Sequence, residues 1–340
     1  MYPELHNIVG SKALVTGATG FTGRHLTFRL LELGSAVTVL VRKSSAETLV
    51  AEFVKRGAKV VYGDVRDPLS LREATRGVDY VFHLAALYRQ ARFPDKVYFD
   101  VNLGGTANVL DAACELGVKR VIHCSTCGVH GSIPDPPASE EEPFRPCDVY
   151  QESKAEAEKL ARERFRSGAL EGVIIRPAMI WGEGDARILK LFRGVAKRRF
   201  PLIGSGNQLT HWLYIEDLVD GFLLAADRAE AKNQVYILAG RRPITLNETI
   251  AIIARLAGTK PLPFKLPFGP VYLTAALIES VCKPLGLEPP LYRRRVEFFE
   301  KNRAYDTTKA RTELGFCPRY DIEEEARRIF TWYKEHGWLD

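Results

Sequence analysis

Tyr150 and Lys154 stand one helical turn apart at the head of the run Ser-Lys-Ala-Glu-Ala-Glu-Lys-Leu, which places both side chains on one helix face. A phenol of ordinary pKa, about 10, is a poor base at neutral pH, and an adjacent ammonium lowers it. A drop of about two to three units corresponds to roughly 3 to 4 kcal/mol of differential stabilisation. The pair suits proton transfer to or from a hydroxyl or carbonyl oxygen. Thr126, just past the apolar run that ends at His123, adds a hydroxyl able to bond the same oxygen. Tyr305 and Lys309 repeat the spacing, but no strand ending in Ser or Thr precedes them, so that copy is expected to be structural.

The partner of such proton transfer is a hydride carrier, and the N-terminal segment supplies its cradle. Ala13-Leu-Val runs into Thr16-Gly-Ala-Thr-Gly-Phe-Thr-Gly23 ahead of a helical stretch. Glycines between a strand and a helix let backbone N–H groups approach a diphosphate at the helix N-terminus. Gly17 permits the tight turn, Gly20 the close approach and Gly23 the packing of helix on strand. About 20 residues on, where the ribose 2′ position should lie, stand Arg42 and Lys43. Cations there suit a 2′-phosphate, so NADP is expected in preference to NAD.

The elements that position these groups alternate. Strand-like runs at Ala36 to Val41, Lys59 to Tyr62, Tyr80 to His83, Arg120 to His123 and Gly172 to Ile175 are separated by helical patterns. Those patterns lie at Glu47 to Arg56, Pro68 to Arg76, Gly105 to Leu116 and Ser153 to Phe165. The order predicts an α/β, doubly wound parallel sheet, the Rossmann fold. The dinucleotide-binding domain spans 10–178, with 209–240 rejoining it through the Val235 to Leu238 run. A smaller, interdigitated C-terminal substrate domain takes 179–208 and 241–340.

The chain's 340 residues exceed what one core usually serves. An excess of 48 basic over 42 acidic residues leaves +6, suited to an anionic small molecule and too diffuse for nucleic acid. No run is long and apolar enough to span a bilayer, and the N-terminus lacks a secretory pattern; a cytoplasmic protein is expected. Six cysteines are too few for a disulfide scaffold. Cys124 and Cys127 are read as reduced thiols near a strand end, and no metal site is expected.

In combination the motifs resemble the extended short-chain dehydrogenase/reductase superfamily, the NAD-dependent epimerase/dehydratase family. The pieces are GATGFTG, Gly63-Asp64-Val65, His83-Leu-Ala-Ala, Val101-Asn102, Ser125-Thr126, Tyr150 to Lys154, Arg176-Pro177 and Tyr305-Asp-Thr-Thr-Lys-Ala with Leu314-Gly315-Phe316. The resemblance implies that Thr19, Phe21 and Thr22 join the glycines around the cofactor and that Asp64 and Val65 flank the adenine. It further implies that Leu84, Ala85 and Ala86 line the cofactor channel, that Asn102 braces the active-site backbone and that Pro177 sits by the nicotinamide. A homodimer is expected.

Within that superfamily, dehydratases carry Asp-Glu after the Thr matching Thr126, where this chain has Cys127 and Gly128. Sugar epimerases hold a nucleotide diphosphate with an Asn after the Arg176 strand and an Arg before the Trp212 segment. Here Pro177-Ala178 and Thr210-His211 stand instead, with Arg187, Arg198, Arg199 or Arg241 as substitutes and Lys197 to Arg199 and Arg293 to Arg295 as further places to look. Phe268 to Ile278 and Leu291 to Val296 are similar to the substrate region of 3β-hydroxysteroid dehydrogenase-like proteins, the branch nearest to this chain. An apolar helix there would close over the nicotinamide. Attachment to a membrane surface through it is possible but less favoured than a soluble state. Tyr88, Thr126, Cys127 and His211 are the candidate substrate contacts. The reading is an NADP-preferring oxidoreductase acting on a sterol-like or long-chain alcohol or ketone. A UDP-sugar epimerase with tightly held NAD, and a non-catalytic cofactor-sensing protein, are the alternatives.

Overall fold

The computed structural model describes residues 4–88, 93–282, 285, 287 and 289–340. Six strands, β1 (Lys12–Thr16), β2 (Ala36–Val41), β3 (Lys59–Tyr62), β4 (Tyr80–His83), β5 (Arg120–Cys124) and β6 (Gly172–Pro177), join the Val235–Leu238 strand in a seven-stranded sheet. Its order is β3-β2-β1-β4-β5-β6 and then Val235–Leu238, all parallel. The strands are apolar on both faces because helices cover both. Val15, Val39, Phe82 and Ile122 pack with Leu26 and Phe222 of the Phe21–Glu32 and Ile215–Asp227 helices. Leu14, Val81, Val121 and Ile174 pack on the other side, with Leu71, Leu110 and Phe165. This is a doubly wound Rossmann sheet. The order in which strands are added reverses between β1 and β4, which opens a crevice at their C-terminal ends.

Two details move site residues. The Val149–Arg166 helix starts before the expected Ser153, because Asp148 accepts from Gln151 N at 2.9 Å and caps it. Tyr150 therefore lies in its first turn. The Gly105–Glu115 helix is preceded by a π turn, Asp100–Gly104, which carries the buried Asn102.

Beyond β6, Met179–Trp181 pairs in parallel with Trp212–Tyr214, and Trp181 stacks on Trp212 with ring centroids 4.5 Å apart. They build a second core with Phe192, Ile250, Ile253, Ile329 and Tyr333. From beyond 241, Ala310, Leu314 and Phe316 pack back against the main sheet.

The apolar segment expected over the nicotinamide is displaced from that role. It forms the Phe268–Cys282 helix, whose buried residues are Ala275 and Glu279, while Leu273, Leu277 and Val281 are 65%, 69% and 61% exposed. None of these residues lines the central cavity. A helix apolar on every side carries no sequence signal for which side turns inward. Lys283, Pro284, Gly286 and Glu288 of the same Pro-rich stretch, and the Arg294 side chain, lie outside the described residues. Among the described residues no helix is long and apolar enough to cross a membrane.

Candidate active site

The glycine loop closes tightly on itself. Gly17 has φ +74°, and a Cβ there would stand 2.7 Å from Ala85 N; at Gly23 it would stand 2.1 Å from Gly17 O. Gly20, the N-cap of the Phe21–Glu32 helix, is exposed and leaves its N-terminus open. Ala85 N donates to Thr16 Oγ1 at 3.3 Å and Leu84 N to Thr16 O, which fixes the channel wall beside the loop. These residues fit a dinucleotide diphosphate: open backbone at a helix N-terminus, with no room for side chains. Gly17, Gly20, Phe21, Thr22, Gly23, Leu84, Ala86 and Pro177 all line one cavity of about 670 Å³.

Tyr150, Lys154 and Thr126 line the same cavity. Lys154 is buried and donates to Cys124 O at 2.7 Å, and burial lowers its pKa. Thr126 Oγ1 accepts from Gly128 N at 3.0 Å, which leaves the hydroxyl hydrogen to be donated. Tyr88 meets the Tyr150 ring edge-on with centroids 5.0 Å apart. Asn102 accepts from Leu87 N at 2.7 Å and donates to Ser153 Oγ at 2.9 Å, tying the segment before Tyr88 to the Tyr150 helix. Beneath them His83 bridges Thr16 and Thr106 and is held neutral, its pKa pushed down by burial to about 3.

The NAD dependent epimerase/dehydratase family model matches residues 13–239. This chain belongs to that family. Proteins similar to it include a 4-hydroxy-2-methyl-3-oxo-4-farnesyl-3,4-dihydroquinoline-1-oxide ketoreductase of Stigmatella aurantiaca, 31% identical over 91% of this chain and 92% of the relative. A 3beta-hydroxysteroid-dehydrogenase/decarboxylase of Arabidopsis thaliana is 30% identical over 93% of this chain and 78% of its own length. The crystal structure of DesIV, a dTDP-glucose 4,6-dehydratase from Streptomyces venezuelae with NAD bound, superposes with a TM-score of 0.78 at 26% identity. It covers 97% of this chain and 100% of that one.

Arg42 and Lys43 are exposed past the end of β2 and do not line the cavity. Asp64 turns to Arg66 through two 2.8 Å contacts, and that pairing holds its carboxyl below the usual range. Val65 is buried, and its carbonyl accepts from Asn108. Cys127 is in the wall, but its thiol bonds Arg176 O at 3.2 Å and burial raises its pKa. His211, expected as a substrate contact, does not line the cavity. It is buried behind the wall, with Nε2 on Gly240 O at 3.0 Å and Nδ1 accepting from Tyr305 N at 3.3 Å. Tyr305 reaches the cavity, yet Lys309 turns away to Gln234 Oε1 at 2.8 Å, so the second pair is split.

Sequence reasoning missed most of the outer wall. Met179, Ile180, Ile188, Leu191, Phe200, Leu246, Phe298 and Phe299 line it, and Phe200 packs on Phe299 with ring centroids 6.2 Å apart. Cations join them: Arg187 and Arg295, both among the substitutes the sequence offered, line the cavity with Lys301 and Arg303, whereas Lys197 to Arg199 are exposed and do not line it. Arg187 is clamped by Asp185 at 2.8 and 2.7 Å, with its guanidinium 5.9 Å from the Tyr88 ring centre.

Proposed function

We propose that the chain is an NADP-preferring oxidoreductase that interconverts a secondary alcohol and a ketone on a largely apolar substrate. The observation that carries this reading is the convergence of Tyr150, Lys154 and Thr126 on a cavity whose outer wall is mainly aliphatic and aromatic. The bound nicotinamide would supply or accept the hydride. Tyr150 gives the proton to the ketone oxygen, or takes it from the alcohol. Lys154, anchored on Cys124 O, keeps a positive charge beside it, and Thr126 donates to the same oxygen. Cys127 and Gly128, where a dehydratase has its acid and base, offer only a thiol held by a backbone carbonyl and no side chain.

The preference for NADP rests on register. Thr16 pairs with Leu40, so Arg42 lies just beyond the level of the glycine loop, beside Asp64. NADPH should bind more tightly than NADH, and Arg42→Asp should reverse the order, a charge-assisted contact being worth about 10- to 100-fold. Direct titration of both cofactors checks it, and equal binding by the wild type would refute it.

The cations of the outer wall favour a second reading, a nucleotide-sugar epimerase. Thermal-shift titration with cofactor present separates the two. Long-chain or sterol-like ketones should raise the melting temperature and turn over with net cofactor oxidation. UDP-sugars at millimolar concentration should do neither; a saturable UDP-sugar shift would put the epimerase first.

A further inference from the structure

The segment after Phe299 is extended, bridging Thr210 at Arg303 and Ala138 at Tyr305. In extended chain alternate side chains share a side. Lys301, Arg303 and Tyr305 accordingly line the cavity, while the backbone between them is consumed by neighbours: Ile133 N donates to Asn302 O, and Ala138 N to Ala304 O. Asn302 Oδ1 accepts from Leu209 N at 3.0 Å and holds the alternation in register.

The Arg303 guanidinium is positioned in advance of any ligand. Nη1 donates to Phe298 O and Lys301 O, both at 3.1 Å, and the group lies over the Phe298 ring at 4.8 Å. Lys301, which pairs with Glu297 at 2.9 Å, is mostly buried. Around the whole cavity the charged lining residues, among those described, are Lys154, Arg187, Arg295, Lys301, Arg303 and one carboxylate, Asp148, spent on capping the Tyr150 helix. Arg187 and Lys301 have carboxylates beside the wall, Asp185 and Glu297, and the site still carries more positive than negative charge, which attracts an anion. Phe298 and Phe299 beside it offer an apolar body a place to lie.

We propose that Lys301 and Arg303, with Tyr305 as hydroxyl donor, form a subsite for an oxyanion carried by an otherwise apolar substrate, a carboxylate or a phosphate on a long chain. The proposal rests on the oxidoreductase reading and adds to it the polar end of the substrate. A forked guanidinium takes either oxyanion through paired hydrogen bonds, and the ammonium adds charge without geometry.

Titration calorimetry on the enzyme with NADP present tests it, using dodecanoate, dodecyl phosphate and dodecanol. At least one anion should bind about 10-fold or more tightly than the alcohol, and the tighter of the two identifies the head group. The preference should collapse in the Lys301→Gln/Arg303→Gln double variant. Arg303→Lys, which keeps charge and loses the fork, should retain part of it and serves alone if the double variant does not fold. Kinetics with a long-chain 3-oxo acid and its methyl ester form the second arm. The kcat/KM ratio of acid to ester should exceed about 10 in the wild type and fall in Arg303→Lys, mainly through KM. Equal binding of anions and alcohol, or a preference unchanged by the double variant, overturns the subsite. Turnover of acid and ester at the same kcat/KM removes the subsite and leaves the oxidoreductase reading standing. Anion binding that the variant abolishes, with no ketone turned over, keeps the subsite and removes that reading.

Discussion

Tyr150→Phe is expected to lower turnover by at least about 100-fold while leaving cofactor affinity nearly unchanged, because positioned acid–base groups of this kind contribute about 10² to 10⁴. The change removes one oxygen. The ring keeps its edge-on contact with Tyr88, and the Asp148 cap of its helix is untouched. Loss of stability would therefore not explain a loss of rate. Lys309→Met is the control for the second copy of the spacing. Its ammonium bonds Gln234 and lies over the Tyr236 ring, away from the cavity, so that variant should stay close to the wild-type rate. Cofactor titration beside steady-state rates checks both, and substantial activity in Tyr150→Phe would remove Tyr150 from its assigned role.

The parts of this site legible in the sequence are those where one local rule decides the outcome. The glycine loop was readable because a positive φ and a Cβ clash of 2.7 Å leave glycine as the fitting residue at Gly17. β2 and β4 begin and end where their apolar runs do, since strands covered on both faces have no polar alternation to blur their ends. The start of the Tyr150 helix was missed although Asp148 followed by Gln151 is a recognisable capping pattern. Of the outer wall, Arg187 and Arg295 were legible as cations, and most of the rest was not. Phe298, Phe299, Lys301 and Arg303 belong to a segment with few regular elements, and their direction is set by bridges to residues about 90 and 170 positions away. Likewise the uniform apolarity of the Phe268–Cys282 helix gave its presence but no facing direction.

The largest stability effect is expected at Glu158, a residue with no part in the proposed chemistry. Its carboxylate and the Arg176 guanidinium are fully buried, paired at 2.7 Å. Ser125 Oγ donates to Glu158 at 2.6 Å and Arg162 at 3.0 Å, while Arg176 Nη1 is shared between His130 Nε2 and Glu140 O. Burial alone would raise the Glu158 pKa; the Arg176 bonds and charge reverse this and hold it below the ordinary value. The stability it gives is accordingly present above the unfolded-state pKa and is lost as pH falls through the lower folded value. Removing one partner strands the other charge in a medium that solvates it poorly, at a cost of about 3 to 5 kcal/mol. Glu158→Gln should thus shift the urea midpoint strongly at neutral pH, and its deficit against wild type should shrink in acid. Glu158→Leu/Arg176→Met removes both charges, and apolar replacement of a buried pair is often neutral or better, so the double variant should recover much of what Glu158→Gln loses. Ser125 joins this network to Thr126, so Glu158→Gln should also lower kcat at temperatures where it remains folded. A double variant no more stable than Glu158→Gln would mean that packing, and not the stranded Arg176 charge, sets the cost at this position.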